Sequence, residues 1–226
     1  NYDYSLVLNQ DEVAEGTITP DSVRDNHELR IAVGDLLRDE VNRLTVARSR
    51  GEGVLYYTAH MNLQLLAQDV DAISHGVSIT REYYLVNDAE APITSAKVGD
   101  LVNVRVNFTL PEDIHYFVLE DPIPAGTEIE DTRLLTSSAQ ASGESFTLGR
   151  ADEYWNWGWW YIDRTELRDE QVNLYADSLP AGSYTYTYQI RTSMAGEFQT
   201  MPTHAYAFYF PDVFGRSDGI VFTIEE

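Results

Sequence analysis

Gly215, Ser217 and Gly219 spell the G-x-S-x-G pattern of a nucleophile elbow, in which a serine hydroxyl is held on a sharp strand-to-helix turn. That geometry needs a helix after the serine, and Ile220, Phe222 and Ile224 instead alternate with Val221 and Thr223 as a strand does. The pattern therefore reads as a turn. His27, His60, His75, His115 and His204 are scattered with no metal-ligand spacing, so they read as satisfied surface or core histidines and no metal site is expected. Glu166, Asp169 and Glu170 surround Arg168, most simply as an exposed ion-pair patch, and no EF-hand spacing makes them a calcium loop. The chain has no cysteine, which excludes a disulfide, a thiol nucleophile and a sulfur metal site. Gly51 and Gly53 lack the third glycine and following helix of a dinucleotide fingerprint. No catalytic residue and no cofactor are expected.

The run from Tyr154 to Tyr161 holds all four tryptophans of the chain. On an extended backbone Trp155, Trp157 and Trp159 share one face. That face is either a flat aromatic platform for a sugar or a partner protein, or one side of a packed core.

A net charge of -22 and a pI near 4.3 argue against nucleic acid and against anionic membrane surfaces, because both need clustered Lys and Arg. No apolar run reaches the length of a membrane helix. The sequence opens at Asn1, without Met and already in a strand-like pattern, so it reads as an excerpt of a longer protein.

Short alternating runs punctuated by Gly and Pro, with no long helical period, predict an all-β fold of antiparallel sandwich type. Tyr2 to Leu8 and Val13 to Ile18 flank a hairpin tip, Asp35 to Val41 suits a helical turn, and Val54 to Leu66 suits a long strand. A polar stretch ends the first segment, giving domains 1–71 and 72–226. Beyond it, Val77 to Val86 reads as a strand and Asn87 to Ile93 as a loop. From Leu101 to Leu110, Val102, Val104, Val106, Phe108 and Leu110 face one way. Tyr184, Tyr186, Tyr188 and Ile190 alternate in the same manner, and Tyr206, Phe208 and Phe210 are expected to share one face, with Tyr209 turned to the other and Pro211 closing the strand.

From Glu166 onward an ordered set of short signals carries a family resemblance. The set comprises the acidic cluster after Arg168, the turn from Leu179 to Gly182, Tyr-x-Tyr into Gln189, Ile190 and Arg191, Gly-x-Phe at Gly196 and Phe198, and the run from Tyr209 through Gly215, Arg216 and Ser217. Upstream it extends to Gly51–Tyr57 and Glu120–Gly126. In this order and spacing the chain resembles the C-terminal macroglobulin-like domain of bacterial alpha-2-macroglobulins. The resemblance implies that residues 1–71 are the returning half of a CUB-like β-domain and 72–226 a macroglobulin-like, fibronectin-like sandwich. It implies a non-catalytic part of a protease trap, outside the bacterial cytoplasm in the periplasm or at the cell surface.

In that family a Met-Tyr pair packs over an internal thioester, and the matching positions here are Phe208 and Tyr209. Phe208 departs from the pattern and Tyr209 matches it. The implied partners are the thioester domain of the same parent chain and, through the parent, trapped proteases; no nucleic acid and no membrane contact is implied. Vertebrate members use C-terminal lysines for receptor uptake, and Lys97 is the only lysine in this chain. The alternative is an extracellular glycan- or protein-binding module using the Trp155–Trp160 face.

Overall fold

The computed structural model describes residues 1–22, 24–37, 40–131, 145–148 and 161–226. They form two compact units, Asn1–Gln64 and Leu65–Glu226. In the first unit, β1 (Tyr2–Leu8) pairs antiparallel with β2 (Asp11–Ile18) on one side and β3 (Leu44–Arg48) on the other. The β1–β2 hairpin turns at Asn9 and Gln10, and Asn9 takes φ +58, the left-handed conformation that asparagine tolerates in tight turns. The Asn9 amide Nδ2 donates to Asn42 Oδ1 at 3.1 Å, and its Oδ1 accepts from the Arg43 N–H at 2.9 Å, so the tip also fixes the start of β3.

Two expectations for this segment fail. The helical turn is a short 3-10 turn at Val33–Asp35, earlier than expected. The run Val54–Leu66 forms no strand, although its alternation is regular. Alternation specifies a face, but a strand also needs a neighbour for its N–H and C=O groups. Tyr56 is 87% exposed and Met61 68%.

The second unit holds β4 (Ile73–His75), β5 (Ser78–Leu85), β6 (Asp88–Ile93), β7 (Ser95–Lys97), β8 (Leu101–Leu110), β9 (Ile114–Pro122), β10 (Thr127–Ile129), β11 (Ser145–Leu148), β12 (Arg164–Leu167), β13 (Gln171–Leu179), β14 (Gly182–Thr192), β15 (Gly196–Thr200), β16 (His204–Ala207), β17 (Phe210–Arg216) and β18 (Ile220–Glu225). One sheet runs β10-β14-β8-β5-β6, with β11 also on β14; a second runs β12-β13-β9-β16-β17-β4. A small third sheet, β15-β18-β7, contains the parallel β18–β7 pair. The stretch Asn87–Ile93, expected as a loop, is instead the return strand β6 of a hairpin with β5. Residues 65–71, which the sequence reading placed before its boundary, lie with this unit. Ala67 N–H donates to Gln199 Oε1 at 2.9 Å, and Val70 and Asp71 carbonyls accept from Gly219 N–H and Arg216 Nε.

The period-two pattern places the core. Val102, Val104, Val106, Phe108 and Leu110 of β8 are buried beside Tyr184, Tyr186, Tyr188 and Ile190 of β14. Phe117 and Leu119 of β9 and Val172, Leu174 and Ala176 of β13 face them from the second sheet. Phe108 stacks on Tyr184 at 5.2 Å and on Phe117 of the opposite sheet at 5.3 Å. Each such ring or branched side chain contributes about 1.5–3 kcal/mol on burial.

Two positions on this inward face are charged. Val77, Ile79 and Tyr83 alternate into the core, and Arg81 sits between them; Phe117, Leu119 and Ile123 do the same around Asp121. The Arg81 and Asp121 side chains are 1% and 0% exposed and meet across the sheets, with Arg81 Nη1 donating to Asp121 Oδ1 at 2.7 Å. Arg81 also donates to the carbonyls of Pro122 and Met201. Asp121 accepts from Thr203 Oγ1 at 2.8 Å and from the Tyr188 hydroxyl at 2.7 Å. Burial pulls the Arg81 guanidinium down, but Tyr83, Asp121 and Tyr188 together outweigh it and hold its pKa above the usual value, so Arg81 stays charged. Arg81→Met should cost the second unit about 3–5 kcal/mol in urea denaturation, because it strands a buried carboxylate. Adding Asp121→Leu should return part of that loss, since two charges leave together.

Candidate functional site

Strands β16 and β17 form a hairpin on β9, with Tyr206 opposite Phe214 and Ala207 opposite Phe210. The expected shared face of Tyr206, Phe208 and Phe210 does not exist. Ala205 and Ala207 are the residues buried against the core, and Tyr206 lies on the other, half-buried face. The core beneath β16 is already filled by the rings of the two main sheets, and small side chains are what fit there. Pro211 does not end a strand either; it follows Phe210 within β17, where the ladder register jumps and no partner needs its missing N–H.

Phe208 and Tyr209 therefore form the tip of the hairpin rather than a strand end. Phe208, Tyr209 and Phe210 are 61%, 64% and 63% exposed. Three consecutive exposed aromatics are unusual, because a ring left in water forfeits the burial that most aromatics find. The tip is nonetheless ordered by contacts. The Tyr209 ring meets Phe208 edge-on at 5.2 Å and 84°, and meets Tyr116 of β9 edge-on at 5.0 Å and 87°. The Phe208 N–H donates to the Tyr116 carbonyl at 2.9 Å.

Tyr116 is the member of this cluster that the sequence reading missed. It has φ +54, a conformation that costs a bulky residue about 1–3 kcal/mol. A sequence signal existed. Ile114 and Phe117 are both buried while His115 and Tyr116 between them are exposed, a spacing of three where a regular strand has two.

The G-x-S-x-G pattern has a structural explanation. A Cβ on Gly215 would lie 2.0 Å from the Val77 carbonyl oxygen, and one on Gly219 2.0 Å from that of Ala67, so close backbone approach requires both glycines. Ser217 is buried; its Oγ accepts from the Thr203 N–H at 3.0 Å and donates to the Asp218 carbonyl at 3.1 Å. Its hydroxyl closes a turn. Ser217→Ala should lower stability by about 1–3 kcal/mol, the cost of leaving the buried Thr203 N–H unpaired, as read by chemical denaturation.

In the acidic cluster, Glu166 pairs with two largely exposed arginines. Glu166 accepts from Arg168 Nε at 3.0 Å and also pairs with Arg164, and the Arg168 hydrogen bond holds its carboxyl below the usual range. His75 stacks on Phe214 at 4.9 Å and His204 on Tyr206 at 5.0 Å. Burial lowers the His204 pKa below the usual 6.5; nearby Glu120 opposes this and Arg216 reinforces it. The unfolded chain then takes up a proton at His204 before the folded chain does, so stability should fall as pH drops below about 6.5. His204→Gln should flatten that slope in denaturation curves collected between about pH 5 and 7. Trp155, Trp157 and Trp159 lie outside the described residues.

Residues 76–212 match the family model of the bacterial alpha-2-macroglobulin MG10 domain, a span that includes β5 through the aromatic tip. An alpha-2-macroglobulin homologue of Nostoc is 27% identical over 196 residues, covering 81% of this chain and 9% of the relative. The circularly permutated Ras protein 2 of Dictyostelium discoideum is 27% identical over 183 residues, covering 76% of this chain and 4% of that protein. The chain thus spans less than a tenth of the length of either curated relative. Escherichia coli alpha-2-macroglobulin activated by porcine elastase superposes with a TM-score of 0.58 at 19% identity over 69% of this chain and 14% of that one, a likeness of fold. With more than half of its length matched by that family model, the chain belongs to the bacterial alpha-2-macroglobulin MG10 domain family.

Proposed function

We propose that this chain is the C-terminal region of an alpha-2-macroglobulin-type protease trap, and that Tyr209, braced by Phe208, covers an internal thioester elsewhere in the same parent chain until a protease cuts the bait region. The observation that carries this reading is the exposed but ordered ring of Tyr209 at the hairpin tip, inside the segment matched by the family. A thioester is hydrolysed by water and opened by amines, so its lifetime depends on an apolar cover that excludes both. An exposed aromatic with a polar edge on a rigid hairpin suits that task. Covering each ring contributes about 1.5–3 kcal/mol to docking, which is enough to hold a lid and small enough for a conformational change to release it.

This region itself holds no cysteine and cannot form the thioester. Its role is docking rather than catalysis, and its partners are the thioester domain and, through the parent, the captured protease. The unit Asn1–Gln64 is the returning half of a CUB-like domain, and the unit Leu65–Glu226 the macroglobulin-like sandwich. The parent works outside the cytoplasm, in the periplasm or at the bacterial surface, where foreign proteases are met. The strongly acidic chain suits neither nucleic acid nor an anionic membrane, and among the described residues no helix is long and apolar enough to cross a membrane.

Free thiol released from the intact parent at neutral pH measures thioester loss. Tyr209→Ala should raise the rate of release about tenfold or more, consistent with removal of one buried aromatic contact, while the melting temperature stays unchanged. An unchanged rate in a parent that still releases thiol when amine is added would remove the cover role.

A further inference from the structure

We infer that Tyr116 is the positioning residue of the aromatic tip: it sets the Tyr209 ring in its docking orientation, an inference that rests on the covering role proposed above. Tyr116 lies in β9, outside the hairpin, yet it touches the tip twice. Its carbonyl accepts from the Phe208 N–H at 2.9 Å, and its ring meets the Tyr209 ring at 5.0 Å and 87°.

The irregularity in β9 explains why some residue at this position takes a positive φ. With φ +54 at position 116, Ile114 and Phe117 both turn into the core. It does not explain why that residue is a tyrosine. Glycine or asparagine adopts this conformation at little cost, and Tyr116, 49% exposed, is not a member of the buried core. What its ring does supply is the edge-on wall for Tyr209. A two-residue turn leaves a terminal side chain several rotamers. Phe208 limits those from within the turn, and Tyr116 limits them from a strand pinned into the sandwich. The wall thus converts an exposed ring into a presented one, which lowers the ordering cost of docking.

Tyr116→Asn tests this without unfolding the strand, since asparagine accepts the left-handed backbone and the carbonyl contact is retained. In the parent protein, Tyr116→Asn should speed thiol release by about two- to tenfold, the effect of losing one edge-to-face pair. Tyr116→Phe should restore the wild-type rate, and Tyr116→Asn should add nothing in a Tyr209→Ala background. A wild-type rate for Tyr116→Asn, alongside faster release by Tyr209→Ala, would overturn the positioning role and leave the cover intact. If Tyr209→Ala does not change the rate, the cover reading fails, and the positioning role is decided in this 226-residue chain by NMR. Tyr209 ring-proton shifts that move to free-tyrosine values in Tyr116→Asn, but not in Tyr116→Phe, support it; shifts that stay in place overturn it.

Discussion

The ion pair between Arg81 and Asp121 is the contact on which the sandwich depends. Asp121 gathers Arg81 from β5, Tyr188 from β14 and Thr203 at the entry to β16, so one carboxylate joins both main sheets and the hairpin strand. A carboxylate with no exposure is tolerable only when its oxygens are fully used, and here both accept charged or hydroxyl donors. The arrangement also carries a cost. Arg81 Nε and the Tyr83 hydroxyl have no hydrogen-bond partner, and burial raises the Tyr83 phenol pKa so that it stays neutral beside the pair. An apolar pair would fill the same volume but would not fix register. Hydrocarbon contacts allow sliding, whereas three directed bonds to one carboxylate do not.

That register reaches the surface through β9 and β16. Asp121 anchors the end of β9 that lies beside Pro122, and Tyr116 lies toward the other end, where the strand irregularity turns its ring outward. Thr203, bonded to the same carboxylate, leads directly into β16, which pairs with β9 from His204 opposite Glu120 to Ala207 opposite Phe117. Two rigid rods pinned at the same buried point thus deliver Tyr116 and Tyr209 side by side. The exposed tip is ordered because its supports are buried, which is how a loop residue acquires a defined orientation.

Much of the architecture was legible. The alternation of β8 and β14 predicts strand, inward face and core residues together, because a sheet with one buried face imposes a period of two that few other structures produce. The same signal misled at Val54–Leu66, where alternation found no pairing neighbour, and at Asn87–Ile93, where turn-forming residues sat inside a return strand. Tyr206, Phe208 and Phe210 alternate as well as any strand, yet the buried face of β16 is its alanines. Size decided against hydrophobicity there. The charged residues at core positions, Arg81 and Asp121, broke the apolar pattern in a readable way, but nothing in the sequence pairs one with the other.

Composition and pattern alone determined that the chain is all-β, acidic and free of thiol chemistry, since those properties are local or additive along the chain, while the likeness to a macroglobulin domain rests on a family resemblance that the family model bears out. Tertiary structure alone decided that Ser217 is buried against Thr203, that Phe208 and Tyr209 cap a hairpin, and that Tyr116 joins them. Each of those outcomes depends on residues far apart in sequence meeting at a few ångströms: Ser217 with Thr203, Gly215 with Val77, Tyr209 with Tyr116. Such meetings are set by the packing of whole sheets, and no window of neighbouring residues contains them.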